Sequence, residues 1–227
     1  MLSEFFQLFF PRNCHSCGEP LIKQENLICY SCRYSLPRTG FHLQPGNPVE
    51  QLFWGRVPLT AAAACFEFRK SGGVQRLLHL LKYKGNEDIG REIGRIYGKE
   101  LLQSKTFSES EIILPVPLHI SRLKVRGYNQ SRVFAEGLAE SMPSAKIDDS
   151  LKRINKTDTQ TQKSRFDRWK NVETVFSFQD DGVSVRGKRV LLVDDVVTTG
   201  ATLEACATRI LRAGADSVRV ACIAATR

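Results

Sequence analysis

Apolar residues recur along the 227-residue chain in two rhythms. Val74, Leu77, Leu78 and Leu81 keep the period of a helix with one buried face, and a second helical stretch runs from about 89 to 102. The alternation in Cys65-Phe66-Glu67-Phe68 predicts a strand over 61–68, after which Ser71, Gly72 and Gly73 turn the chain. Further on, the pattern predicts strands over 111–116, 172–178, 188–193 and 217–224, and helices over 132–140 and 202–213. Strands alternating with helices imply an α/β fold, a parallel sheet with helices on both faces. The stretch 39–58 shows little periodicity and is rich in Gly and Pro, which predicts a linker. The expected organisation is a small unit over 1–38, this linker, and a large domain over 59–227.

Composition excludes a disordered chain, with 42% hydrophobic and 25% charged residues. No apolar run approaches the roughly 20 residues of a membrane span, and residues 1–10 carry Glu4 and lack a basic leading region. A soluble, cytoplasmic protein without membrane insertion is expected. Phe5, Phe6, Phe9 and Phe10 are expected to pack on a neighbouring domain or subunit. The net charge of +9 favours anionic partners. Between Arg122 and Lys170 twelve Lys or Arg face six Asp or Glu, which is either a site for phosphates or nucleic acid or a solvated basic surface.

Seven cysteines divide into a cluster, Cys14, Cys17, Cys29 and Cys32, and three isolated residues, Cys65, Cys206 and Cys222. The isolated three have the apolar surroundings of small buried side chains. The cluster has the spacing C-x2-C, eleven residues, C-x2-C, in which each pair forms a tight turn offering two thiolates to a tetrahedral ion. Four thiolates leave no open position, so structural zinc is expected. A disulfide-linked hairpin or four unrelated thiols are the alternatives, the first disfavoured in a reducing compartment.

The apolar run 188–193 leads into Asp194-Asp195-Val196-Val197-Thr198-Thr199-Gly200-Ala201-Thr202 and then a helix. Ligands of open parallel sheets bind beyond the carboxyl ends of the strands, where this segment falls. Threonine hydroxyls, backbone N–H groups around Gly200 and the helix N-terminus can converge on one phosphate. Asp194 and Asp195 suit the adjacent hydroxyls of a ribose, or an ion beside them. No Walker A lysine follows and the glycine pattern of a dinucleotide fold is missing; a loop for some other sugar phosphate is the alternative.

Upstream, Pro115-Val116-Pro117 breaks a strand, and the expected loop after it carries Arg122, Lys124 and Arg126 on the rim of the phosphate cradle. The stretch 152–170 holds seven Lys or Arg and two Asp, which is either a lid closing over a dianion or a solvated loop.

The run V-L-L-V-D-D-V-V-T-T-G-A-T resembles the motif that binds 5-phosphoribosyl-1-diphosphate (PRPP) in type I phosphoribosyltransferases. With the cysteine spacing, L-K-Y-K-G, P-V-P-L-H and R-G-Y-N-Q, the chain resembles the ComF family of competence-associated proteins over nearly its whole length. The resemblance implies a type I phosphoribosyltransferase-like sheet preceded by a small zinc ribbon, and a link to uptake or use of external DNA. It implies PRPP with Mg²⁺ on Asp194, Asp195, Val197, Thr198, Thr199, Gly200, Ala201 and Thr202, with Arg122 and Arg126 offsetting charge on departing diphosphate. Gln160, Arg165, Arg168 and Asn171 would form the flap. The acceptor stays open among a base, an amine and a nucleic-acid group. The second expectation is a factor that handles single-stranded DNA alongside competence proteins, its PRPP site regulatory or non-catalytic.

Overall fold

The computed structural model describes residues 12–154 and 175–226. Its strands are β1 (Ala61–Glu67), β2 (Ile112–Pro115), β3 (Lys146–Ile147), β4 (Leu151–Arg153), β5 (Phe176–Phe178), β6 (Arg189–Val197) and β7 (Ser217–Ala225). The helices are α1 (Tyr30–Ser35), α2 (Pro48–Gln51), α3 (Gly73–Tyr83), α4 (Glu87–Leu101), α5 (Lys105–Ser108), α6 (Ile120–Arg126), α7 (Gln130–Ser141) and α8 (Ala201–Arg212). Five strands form a parallel sheet in the order β1-β7-β6-β2-β3, while β4 and β5 pair antiparallel apart from it. No helix among the described residues is long and apolar enough to cross a membrane.

Alternation along the strands divides the buried side chains into two cores, one on each face of the sheet. Ala61, Ala63, Cys65, Leu191, Val193, Ala221 and Ile223 meet α3, α4 and α7 through Leu77, Leu81, Ile93, Tyr97, Phe134 and Leu138. Ala62, Ala64, Val190, Leu192, Val218, Val220 and Cys222 meet α8 and the β4–β5 pair through Leu203, Cys206, Ile210, Leu151, Phe176 and Phe178. Cys65, Cys206 and Cys222 are all buried, as small apolar side chains are.

The expected strand over 188–193 runs four residues further, because β7 stays alongside and pairs Asp194 with Cys222 and Val197 with Ala225. The loop expected after Pro117 is a helix: His119 accepts a hydrogen bond from the Ser121 N–H as its N-cap, and Gly127 ends it in the left-handed region at φ 82°. The expected strand over 172–178 is described only from 175, and its described part, β5, lies apart from the main sheet and pairs with β4. Residues 39–58, expected as a linker, are packed: Val49, Phe53 and Val57 enter the second core, and the Asn47 amide donates to the Ala62 carbonyl at 2.9 Å. Phe5, Phe6, Phe9 and Phe10 and the flap residues Gln160, Arg165, Arg168 and Asn171 lie outside the described residues.

Candidate functional site

The paired carboxylates occupy the carboxyl end of β6, and several segments meet there. Asp194 Oδ1 accepts hydrogen bonds from Ser131 Oγ and from the Asp195 N–H, both at 2.8 Å. Asp195 Oδ1 accepts from Lys82 Nζ, on the last turn of α3, at 3.0 Å. Burial, and next the neighbouring Asp195 carboxylate, push the Asp194 carboxyl up to about 7. Two acids side by side in a poorly hydrated corner resist ionising together, which is why one of them shifts.

Asp194 and residues 196–203 line a pocket of about 70 Å³. Thr198, Thr199, Ala201 and Thr202 are exposed in it, whereas Val197 and Gly200 are buried. Gly200 caps α8 at φ 75°, a conformation costly for a side chain, and a Cβ there would meet the Phe53 ring at 2.9 Å. The first N–H groups of α8 therefore open into the pocket, carrying the partial positive charge of the helix end. Arg56 clips the loop from behind: Nη1 donates to the carbonyls of Leu52 at 2.8 Å and Thr199 at 2.9 Å, and Nη2 pairs with Glu204.

The R-G-Y-N-Q motif builds the adjoining wall. Tyr128 donates through its hydroxyl to the Leu81 carbonyl, fixing the end of α3. Asn129 donates to the Val116 carbonyl at 3.0 Å and accepts from the Ser131 N–H at 3.1 Å, which starts α7 and aims Ser131 at Asp194. Arg126 donates to buried Gln130 at 2.7 Å and lies 5.4 Å from the Tyr83 ring centre. Arg122 and Lys124 are exposed on α6. Lys82, Ser131, Arg56 and Phe53 were not legible as site residues. L-K-Y-K-G and R-G-Y-N-Q stood out as motifs, but Lys82 meets Asp195 across 113 residues, Ser131, just after the second motif, meets Asp194 across 63, and Arg56 reaches Thr199 across 143.

In the N-terminal unit the Sγ atoms of Cys14, Cys17, Cys29 and Cys32 lie within 4.8 Å of one another. Cys17 and Cys29 are 3.8 Å apart, and a tetrahedral ion with Zn–S bonds of about 2.3 Å sets its sulfurs about 3.8 Å apart. The donor set therefore fits such an ion. Burial resists ionisation of Cys14, but N–H groups of Cys29, Cys17 and Ser16 outweigh it and bring the thiol down to about 6. Burial pushes Cys32 up to about 12, and a bound cation would favour its thiolate.

A parallel sheet whose central strand ends in twin carboxylates, followed by a Thr- and Gly-rich turn capping a helix, is the frame of a phosphoribosyltransferase domain. Residues 129–227 match the family described as phosphoribosyl transferase domain. The chain is 32% identical over 230 residues to DNA utilization protein YhgH of Salmonella typhimurium, covering 96% of this chain and 99% of that one. To competence protein F of Haemophilus influenzae it is 28% identical, covering 93% and 96%. It is also similar to the solved glutamine PRPP amidotransferase from B. subtilis, with 25% identity and a TM-score of 0.45 over 64% of this chain and 30% of that enzyme. The chain belongs to the ComF family, with the competence and DNA utilization proteins.

Proposed function

We propose that the chain binds PRPP with Mg²⁺ at the end of β6 and acts as a phosphoribosyltransferase-like protein in the uptake or use of external DNA, within the cytoplasm. The observation that carries the reading is the convergence of Asp194 and the 198–202 turn on one pocket at the carboxyl end of the central strand, with Asp195 beside it on the same strand. The relatives named for competence and DNA utilization, aligned nearly end to end, support the DNA link. In this reading Thr198, Thr199 and Thr202, with the N–H groups of 199–202, take the 5-phosphate, and Asp194 and Asp195 take the ribose hydroxyls. Mg²⁺, when bound with PRPP, supplies the charge that offsets its diphosphate. Arg122 and Arg126 add positive charge from α6, and Ser131 and Lys82 keep the two carboxylates oriented. Residues 1–38 form a zinc-holding unit, 39–58 a connecting segment whose Arg56 and Phe53 brace the loop, and 59–227 the PRPP domain.

Thermal melting with and without PRPP and Mg²⁺ tests the site. At a ligand concentration of about 100 times Kd, binding adds about 2.7 kcal/mol, or roughly 5–10 °C in Tm for a chain of this size. Asp195→Asn and Thr199→Ala should each abolish the shift. A wild-type melting curve indifferent to the ligand overturns the reading. Diphosphate release on adding an acceptor then separates a transferase from a DNA-handling factor whose PRPP site is regulatory.

A further inference from the structure

Two polar side chains meet inside the structure with nothing to bond to. His42, on the 3-10 turn Phe41–Leu43, is 8% exposed, and neither of its ring nitrogens has a hydrogen-bond partner. Whichever tautomer it takes, one N–H and one lone pair go unmet. The hydroxyl of Tyr97, buried on α4, is also without a partner, and the two rings meet edge to face with centres 6.0 Å apart. Neutral, His42 is tolerated there as an aromatic ring; charged, it is not.

The groups around it offer an imidazolium no relief. Arg38, on the stretch of chain that runs beside β1, repels a second cation, and Glu100 of α4 is already paired with Arg38. The turn packs on β1, whose titratable groups are Cys65, a buried thiol pushed well above its ordinary value, and Glu67, which pairs with Arg69. Burial pushes Tyr97 up as well, so it stays neutral. Burial first, and then Arg38, hold His42 below the ordinary histidine range.

From this turn the chain runs, packed at each step, to the phosphate loop. Phe41 touches the cores on both faces of the sheet. The Asn47 amide donates to the carbonyls of Phe41 at 3.3 Å, Gln44 at 3.0 Å and Ala62 at 2.9 Å, and its Oδ1 accepts from the Val49 N–H at 2.9 Å to start α2. Beyond α2, Phe53 lies so close to Gly200 that a Cβ there would meet its ring at 2.9 Å, and Arg56 holds the Thr199 carbonyl at 2.9 Å.

We infer that residues 40–58 are an acid-released strap: neutral His42 seats one end against β1 and α4, the other end braces the 198–202 turn, and protonation of His42 unseats the strap and loosens the turn. The inference rests on the PRPP reading only for what the turn holds. Unfolded, His42 binds its proton at about 6.5, and folded it does so at lower pH. The folded chain therefore carries fewer protons, and the stability from this group is complete above about 6.5 and is lost as pH falls below it. The Asp194 carboxyl works in the opposite direction, so the comparison must be made between variants that differ only at position 42.

Thermal melting of the full chain without ligand, from pH 7.5 to 5, makes that comparison. Phenylalanine keeps the edge-to-face contact and has no nitrogen to leave unpaired or to protonate, so His42→Phe should melt above wild type throughout, and the gap should widen by several degrees towards pH 5. His42→Gln, polar but without a charge to gain, should also improve relative to wild type as pH falls. Proton NMR of wild type, with the His42 resonance identified by its loss in either variant, should show a titration midpoint below about 6.5. Amide exchange reads the other end of the strap: protection of residues 200–204, relative to the same residues in His42→Phe, should fall in wild type at pH 5.5. A gap that does not change with pH, or a midpoint at or above 6.5, would overturn the strap, as would protection of the turn that follows the same course in wild type and variant. None of these readings uses PRPP, so a chain that ignores PRPP at every pH and still shows them sinks the PRPP reading and leaves the strap standing.

Discussion

At the scale of single residues, Asp194 has the clearest physical consequence. Its carboxyl is raised from 3.8 to about 7, so between those values the folded chain holds a proton that the unfolded chain has released. Stability from this group is fully present below about 3.8 and is lost as pH rises towards about 7, beyond which nothing further changes. Asparagine at this position has no proton to lose. It can also keep both accepted hydrogen bonds, since Ser131 Oγ and the Asp195 N–H donate to the same oxygen. Without ligand, the Tm of Asp194→Asn should therefore climb relative to wild type as pH is raised from 4 to 7, then run parallel to it, at roughly 2–4 °C for each kcal/mol of difference. A constant difference over that range would show that the carboxyl titrates normally. In the proposed site the same variant should bind PRPP poorly at every pH, because one of the oxygens assigned to the ribose is replaced by an amide nitrogen.

At the scale of elements, the alignment of the site depends on how closely α4 and α7 cross. Gly90, Gly94 and Gly98 repeat at four-residue intervals on α4, and a Cβ on Gly94 would come 2.5 Å from the Phe134 carbonyl oxygen and 2.8 Å from the backbone of Gly137. A Cβ on Gly137 would strike the Arg91 carbonyl oxygen. Backbone cannot swing aside as a side chain can, so Gly137→Ala must push the helices apart and carry Ser131 off Asp194. The expected cost is at least the roughly 1–3 kcal/mol of ordinary overpacking, seen as a lower denaturation midpoint, together with weaker PRPP binding. Wild-type values for both would mean that the crossing is looser than described. Sequence periodicity placed α3, α4, α7 and α8 within a few residues, because each buries one apolar face. It missed α6, a short helix with no buried residue, whose start depends on the His119 cap. It also ended β6 at Val193, because Asp194 and Asp195 break the apolar run; pairing with β7, not hydrophobicity, carries the strand onward.

At the scale of the whole molecule, the legible parts are those whose chemistry is local in sequence. The cysteine spacing and the 194–202 run could be read because each keeps its partners within a single short stretch of chain, 14–32 and 194–202. Lys82, Ser131 and Arg56 could not, because the sheet order alone brings them to β6 and its loop. The same distinction governs the N-terminal unit. Its four thiols form a cluster on their own, yet Ile28, Cys29, Cys32 and Leu36 share one apolar core with Leu77 and Ile93 of the sheet domain. Arg33 pairs with Glu92 of α4 at 2.6 Å, Arg38 pairs with Glu100, and a Cβ on Gly73 would strike Ser16. Residues 37–39 run along β1: the Glu67 N–H donates to the Pro37 carbonyl at 2.8 Å, and the Thr39 N–H to that of Cys65 at 3.1 Å. A unit this small would draw most of its folding free energy from a bound ion, and this one is fused to the core it covers. Elemental analysis should find one zinc per chain. Removing it with a chelator, or breaking the cluster with Cys29→Ser, should lower the single melting transition of the whole chain by several degrees, not release a separate early one. Because α3 begins against this unit and carries Lys82 in its last turn, the metal-free chain should also lose part of its PRPP-induced shift. A metal-free preparation that melts at the holoprotein temperature would show that the cysteines carry no structural ion, whereas two resolved transitions would show that the unit folds apart from the sheet.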